Sequence, residues 1–220
     1  MQLNKTWPSI LSSVAQTVAR HLLDVQAVRL RPADPFTWSS GWKSPIYCDN
    51  RVTLAYPQVR TYIKRALADV VRQQFPDVQV LAGVATAGIP QGALVADELG
   101  LPYCYVRPEP KKHGMGNQIE GRLDKTQKVV VVEDLISTGG SSLKVVEALR
   151  QAGAEVVGMI AIFTYGFAIA DINFEQAGVK LVCLSHYDTL VQEAQTLNYI
   201  PTDALDSLAN WRRNPAEWGK

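Results

Sequence analysis

Apolar and polar positions alternate in three different rhythms along this chain. Over 8–31, Ile10, Leu11, Val14, Val18, Leu22 and Leu23 recur at intervals of three and four, which places them on one face of an amphipathic α-helix. Such a helix would cover or cap a core. Residues 32–56, RPADPFTWSSGWKSPIYCDNRVTLA, replace that rhythm with prolines, serines, aromatics and short extended runs, and read as a small hood of loops and strands. Helical spacing returns from Tyr56 to Phe75, after which short apolar runs alternate with amphipathic segments. Strands are predicted near 79–84, 103–106, 128–132, 155–163 and 180–184, and helices near 89–99, 140–152, 166–177, 186–195 and 202–211. Val129 to Val132 form an unbroken β-branched run, as expected of a strand buried on both faces of a parallel sheet. The predicted fold class is therefore α/β, a central parallel sheet flanked by helices. An N-terminal helix and hood occupy 1–56 and the core 57–220, within a single structural domain. From about Trp211 the pattern reads as the end of a helix and a tail.

Composition narrows the function classes. With 220 residues the chain can bury a full core without disulfides. Its 22 basic and 21 acidic residues leave a net charge of +1, so no global field attracts nucleic acid and any anion must be bound locally. Cys48, Cys104 and Cys183 are odd in number, far apart and set among apolar or aromatic neighbours, and read as reduced core residues. No window approaches the ~18 apolar residues of a membrane span, and MQLNKTWPSI lacks the pattern of a leader. A cytoplasmic protein with neither membrane nor nucleic-acid partner is expected.

The chemistry concentrates in VVVVEDLISTGGSS, 129–142. Glu133 and Asp134 are expected to emerge at the carboxyl end of a buried strand, where open α/β sheets bind ligands, with Ser137, Thr138, Gly139, Gly140, Ser141 and Ser142 turning into a helix. Glycines allow close backbone approach, helix-start N–H groups face an anion, and the hydroxyls add donors. The carboxylates would repel a phosphate but accept hydrogen bonds from vicinal hydroxyls, so a ribose 5-phosphate satisfies both halves. A second strand, near Leu81 to Val84, runs into Ala85, Thr86, Ala87 and Gly88, another turn able to hold an anion. Between 105 and 121 lies a long segment with Arg107, Lys111, Lys112 and His113 against Glu109, a mobile basic loop suited to phosphate oxygens.

The order acid, acid, two apolar residues, then Ser-Thr-Gly-Gly-Ser resembles the signature of the type I phosphoribosyltransferases, which bind 5-phosphoribosyl 1-diphosphate (PRPP). Added to FTWSSGWKSPIYCDNR at 36–51 and to the spacing of Arg107, Lys111, His113 and Gly114, it makes about 30–165 resemble the orotate phosphoribosyltransferases. The resemblance implies the type I phosphoribosyltransferase fold and Mg²⁺-dependent transfer of 5-phosphoribosyl from PRPP to N1 of orotate, giving orotidine 5′-monophosphate and pyrophosphate on the way to UMP. It assigns Glu133 and Asp134 to the ribose hydroxyls and Leu135, Ile136, Ser137, Thr138, Gly139, Gly140 and Ser141 to the loop around the 5-phosphate. Thr86 and Ala87 fall in the pyrophosphate turn, where members often carry a non-proline cis peptide. Arg107, Lys111 and His113 would act on the leaving group from a flexible loop, 107–121, that closes over the neighbouring subunit's site in a homodimer. Mg²⁺ would be bound mainly through PRPP, with no direct protein ligand assigned.

Departures from the family pattern leave the base site open. Pro108 stands where many members have a second lysine, and Met115 where they have an acid. Many members hold the orotate carboxylate with an arginine after the fifth strand, whereas IAIFTYG offers Thr164 and Tyr165. These two, Ser137, and Lys43 as a substitute cation from the hood are the expected orotate contacts. A phosphoribosyltransferase for another base, and a regulator that senses PRPP without turnover, are the rival readings.

Overall fold

The computed structural model describes residues 9–38, 41–107, 109 and 118–219, with the backbone alone at 9–11. Helix α1, Ser9–Asp24, leads into β1, Val28–Leu30, β2, Phe36–Thr37, β3, Lys43–Ser44, and β4, Ile46–Cys48, then a 3₁₀ turn at Asn50–Ala55. The core follows as α2, Pro57–Gln74, β5, Val80–Val84, α3, Gly88–Leu99, β6, Tyr103–Val106, β7, Ile119–Glu120, β8, Lys128–Ile136, and α4, Gly140–Gln151. It ends with β9, Glu155–Thr164, α5, Ala168–Gln176, β10, Leu181–His186, α6, Tyr187–Thr196, a 3₁₀ turn at Thr202–Ala204, and α7, Leu205–Arg213.

The central sheet has the order β10-β9-β8-β5-β6-β7, parallel except for β7, which returns antiparallel to β6. Its apolar runs divide by alternation. Leu81, Val130, Val132, Ile160 and Ile162 face a cluster with α1, α2 and α6, while Val80, Ala82, Val129, Val131, Met159 and Ala161 face another with α4 and α5. Both faces are covered, so neither parity of the strands can be polar.

Three boundaries differ from the sequence expectation. The first helix stops at Asp24, and Val28 and Leu30 are buried on either side of half-buried Arg29, a strand's period of two rather than a helix's. Strand β8 continues four residues beyond Val132, because β9 goes on pairing with it as far as Ile136 opposite Thr164. The chain end is more than a tail, since Trp211 is 0% exposed and packs against Trp38, Tyr165, Phe167 and Tyr187 at centroid distances of 5.3 to 5.7 Å. Trp38 belongs to the hood, so this aromatic cluster joins the hood to the core, and Arg212 bonds Asp188 at 2.7 Å beside it.

Helix α1 is held on the sheet edge by polar contacts as well as packing. Ser185 Oγ donates to the Ala15 carbonyl at 2.8 Å, and Arg20 Nε donates to Glu193 Oε2 at 2.6 Å.

Candidate active site

Strands β5 and β8 are neighbours in parallel register, Val80 opposite Val129 and Gly83 opposite Val132, so their carboxyl ends open side by side. The turns that follow therefore share one cleft. At the first, the Ala85 to Thr86 peptide is cis, Thr86 is exposed and Ala87 half-buried. A β-carbon on Gly88 would lie 2.5 Å from the Val132 carbonyl oxygen, so only glycine lets α3 start this close to β8. At the second turn Gly139 has φ +82, and a β-carbon there would lie 2.7 Å from the Phe174 ring. Asn173 Nδ2 donates to the Thr138 carbonyl at 2.9 Å and fixes the turn from behind. Thr138, Gly140 and Ser141 are exposed and Ser137 is half-buried. The first N–H groups of α4 are thus presented to solvent in the manner of an anion site.

The acids lie within β8 rather than after it, Glu133 opposite Ala161. Both oxygens of Glu133, which is 6% exposed, are engaged: Ser142 Oγ donates to Oε2 at 2.8 Å and the Asp134 N–H to Oε1 at 3.0 Å. Burial, then the Asp134 charge, push the Glu133 carboxyl well above its ordinary range. Burial also raises Asp134, opposed first by its hydrogen bond with Glu133. Two carboxyl groups this buried and this close resist ionising together, so the pair as a whole is pushed upward. The Ile136 side chain is 0% exposed and its carbonyl accepts the Tyr165 N–H at 3.1 Å. Leu135 is half-buried.

A pH dependence follows. A carboxyl whose folded pKa is raised stabilises the protein fully below its unfolded pKa, and that contribution is lost as pH rises through the folded value. Between about pH 5 and 8 the melting temperature of ligand-free protein should fall relative to that of a Glu133→Gln variant. His186, lowered by burial, pulls the other way but cancels in the comparison. Parallel melting curves of the two proteins would sink the assignment.

Basic groups approach from the neighbouring strand. The Ala85 N–H bonds the Val106 carbonyl at 2.9 Å, so the carboxyl end of β6 lies against the first turn. Arg107 follows there, exposed, with its N–H bonded to the Gln118 carbonyl at 2.9 Å and its guanidinium 3.8 Å from Glu120. The segment between leaves and returns at that point. Lys111 and His113 lie outside the described residues.

The expected base contacts fare unevenly. Tyr165 is 3% exposed within the aromatic cluster, and burial, then the neighbouring Cys48 and Asp134, push its hydroxyl well upward. The Thr164 hydroxyl accepts the Gly166 N–H at 3.0 Å, and Lys43 Nζ donates to Thr37 Oγ1 at 2.9 Å within its own hairpin. What the sequence reading missed is Asn50. Although 0% exposed, it donates from Nδ2 to the Asp134 carbonyl at 2.8 Å, while its own carbonyl accepts from Thr53 Oγ1 at 2.6 Å. Gln91 Nε2 of α3 reaches Thr53 Oγ1 at 3.4 Å. Hood, acid strand and first-turn helix are thereby tied together. The only sequence signal was an asparagine inside a motif already quoted.

Comparison with known proteins agrees with this geometry. The phosphoribosyl transferase domain family matches residues 54–182. An orotate phosphoribosyltransferase of Cytophaga hutchinsonii is 59% identical over 203 residues, covering 92% of this chain and 97% of that protein. The crystal structure of orotate phosphoribosyltransferase from Aeropyrum pernix superposes with a TM-score of 0.72 at 33% identity, covering 84% of this chain and 99% of that one. The Mycobacterium tuberculosis enzyme of the same name, solved with PRPP, gives a TM-score of 0.62 at 25% identity over 82% of this chain and 98% of that one.

Proposed function

The chain belongs to the orotate phosphoribosyltransferase family, and from that premise we propose that it transfers the 5-phosphoribosyl group of PRPP to N1 of orotate, giving orotidine 5′-monophosphate and pyrophosphate for UMP synthesis. The observation that carries the reaction class is the Glu133 and Asp134 pair directly before the turn at 137–141, beside a second turn at 85–88. The ribose hydroxyls donate to the two carboxylates, and the 5-phosphate rests on the N–H groups of 139–141 and the hydroxyls of Ser137, Thr138 and Ser141. Pyrophosphate lies at Thr86 and Ala87, where the first N–H groups of α3 and the basic segment meet its charge.

As the C1–O bond to pyrophosphate breaks, C1 becomes positive and the departing oxygens negative, while N1 bonds to C1 and its proton passes to the released pyrophosphate. The Asp134 carboxylate favours the positive end. Arg107, Lys111 and His113 serve the negative end, each well-placed donor contributing roughly 3 kcal/mol. Among the described residues no three His, Cys, Asp or Glu side chains gather into a metal cage. The Mg²⁺ of this reaction would be held mainly through PRPP, since this hard cation keeps its waters and prefers phosphate oxygens. When bound it would neutralise the diphosphate. A homodimer in which the 107–121 loop reaches the neighbouring site, and a cytoplasmic location, belong to the same proposal. No helix among the described residues is long and apolar enough to cross a membrane.

Incubation of purified protein with PRPP, Mg²⁺ and orotate should remove orotate absorbance, with uracil, adenine and hypoxanthine spared. Consumption of a different base would overturn the choice of substrate while keeping the chemistry at PRPP. Tight PRPP binding with no turnover of any base would replace the enzyme by a sensor.

A further inference from the structure

Orotate differs from uracil by a carboxylate on C6, the carbon next to N1. Because N1 bonds to C1 of the ribose, that carboxylate must come to rest within a few ångströms of the ribose, hence near the acids that hold its hydroxyls. A cation is needed there, and the end of β9 offers none: Thr164 is neutral and the Tyr165 ring is sealed in the core.

One cation does stand beside the acid pair. Asn50 holds the Asp134 carbonyl at 2.8 Å, so the next residue, Arg51, starts within a residue of contact with the acid strand. Asp49 fixes it there in two ways. Its Oδ1 accepts the Arg51 N–H at 3.2 Å, and its two oxygens take Nε and Nη2 of the guanidinium at 2.7 and 2.9 Å. Among the described residues Nη1 makes no hydrogen bond, and the side chain is 59% exposed, open to a ligand. Burial dominates in raising Asp134, and after its hydrogen bonds the Arg51 charge is among the influences that oppose it.

Resting on orotate as the substrate, the geometry points to Arg51 as the group that binds the orotate carboxylate, with Asp49 as its positioning residue. A guanidinium suits the task because it stays charged and presents several donors in a fixed plane, so that one edge can serve Asp49 while the remaining donors meet a second carboxylate. Lys43 has the charge but directs it to Thr37.

The test compares wild type with Arg51→Ala, Arg51→Lys and Lys43→Ala in steady-state kinetics and in equilibrium binding of PRPP, orotidine 5′-monophosphate and UMP, the last of which lacks the carboxylate. Arg51→Ala should raise KM for orotate on the order of ten- to a hundredfold, the loss of a hydrogen bond between charged groups. It should erase the preference for orotidine 5′-monophosphate over UMP by the same factor while leaving UMP and PRPP binding within about twofold. Arg51→Lys should recover part of the loss. An unchanged orotate KM in Arg51→Ala would overturn the proposal, as would equal weakening of all three ligands, which would mean only a damaged hood. Carboxylate-specific loss in Lys43→Ala with none in Arg51→Ala would transfer the role to Lys43. If wild type binds PRPP but neither consumes orotate nor prefers orotidine 5′-monophosphate, the reading of the reaction falls first and this inference with it.

Discussion

Replacing Asp134 by asparagine should lower kcat/KM for PRPP by about two to three orders of magnitude while leaving the fold intact. Two losses combine. A ribose hydroxyl donating to a carboxylate forms a charge-assisted hydrogen bond worth roughly 1.5–3 kcal/mol, and the amide replaces it with a weaker one. The negative charge that favours a positive C1 also disappears, an electrostatic effect of roughly 3 kcal/mol when the group is fixed in advance of the reaction. Asp134 rather than Glu133 should show the full effect, because Glu133 already engages both oxygens with Ser142 and the Asp134 N–H. The fold should tolerate the change, since Asn50 grips the Asp134 main chain and not its carboxylate. Steady-state kinetics with a melting curve for each protein decide the matter. A kcat/KM within threefold of wild type would remove Asp134 from the ribose site.

Lys111→Ala should lower kcat by about a hundredfold with little change in stability, as expected for a donor whose contact is made with the leaving group. The structure places the origin of its segment but not the lysine: β6 and β7 converge at Arg107 and Gln118, beside the turn at 85–87. From there the segment could serve its own site or that of a second subunit. Mixing separates the two. If Lys111 acts across a two-fold dimer, refolding Lys111→Ala together with Asp134→Asn gives hybrids in half of the dimers, each with one site intact in both residues, and about a quarter of wild-type activity returns. If it acts within its own chain, every site keeps one defect and nothing returns. Wild-type turnover by Lys111→Ala alone would end its leaving-group role.

The two strand-to-helix turns were the most legible part of the candidate site because they are local. A glycine at +82° and the run from Ser137 to Ser141 depend on a few successive residues, so their chemistry shows in the string itself. The acids were legible in kind but not in placement. Their identity suggested ribose hydroxyls, whereas the continued pairing of β8 with β9, set by a neighbour more than twenty residues away, put them inside the strand and buried Glu133. Trp211 misled for a similar reason. A terminal tryptophan gives no sequence sign of what surrounds it, and only the meeting of α7 with the hood and the end of β9 made it the centre of an aromatic cluster.

By itself the sequence determined the α/β alternation, the two small-residue turns from strand to helix and the basic segment, since periodicity, glycine and local charge act over one or two turns of chain. The tertiary structure alone decided which charged and polar groups meet. Asn50 and Asp134 are 84 positions apart, and Tyr165 is buried in a ring cluster with Trp38 and Trp211, far from it in the chain. Burial, hydrogen-bond partners and proton positions are properties of neighbours in space. A buried asparagine is tolerated only when its partner arrives, and no pattern of nearby residues announces a partner so distant in the chain.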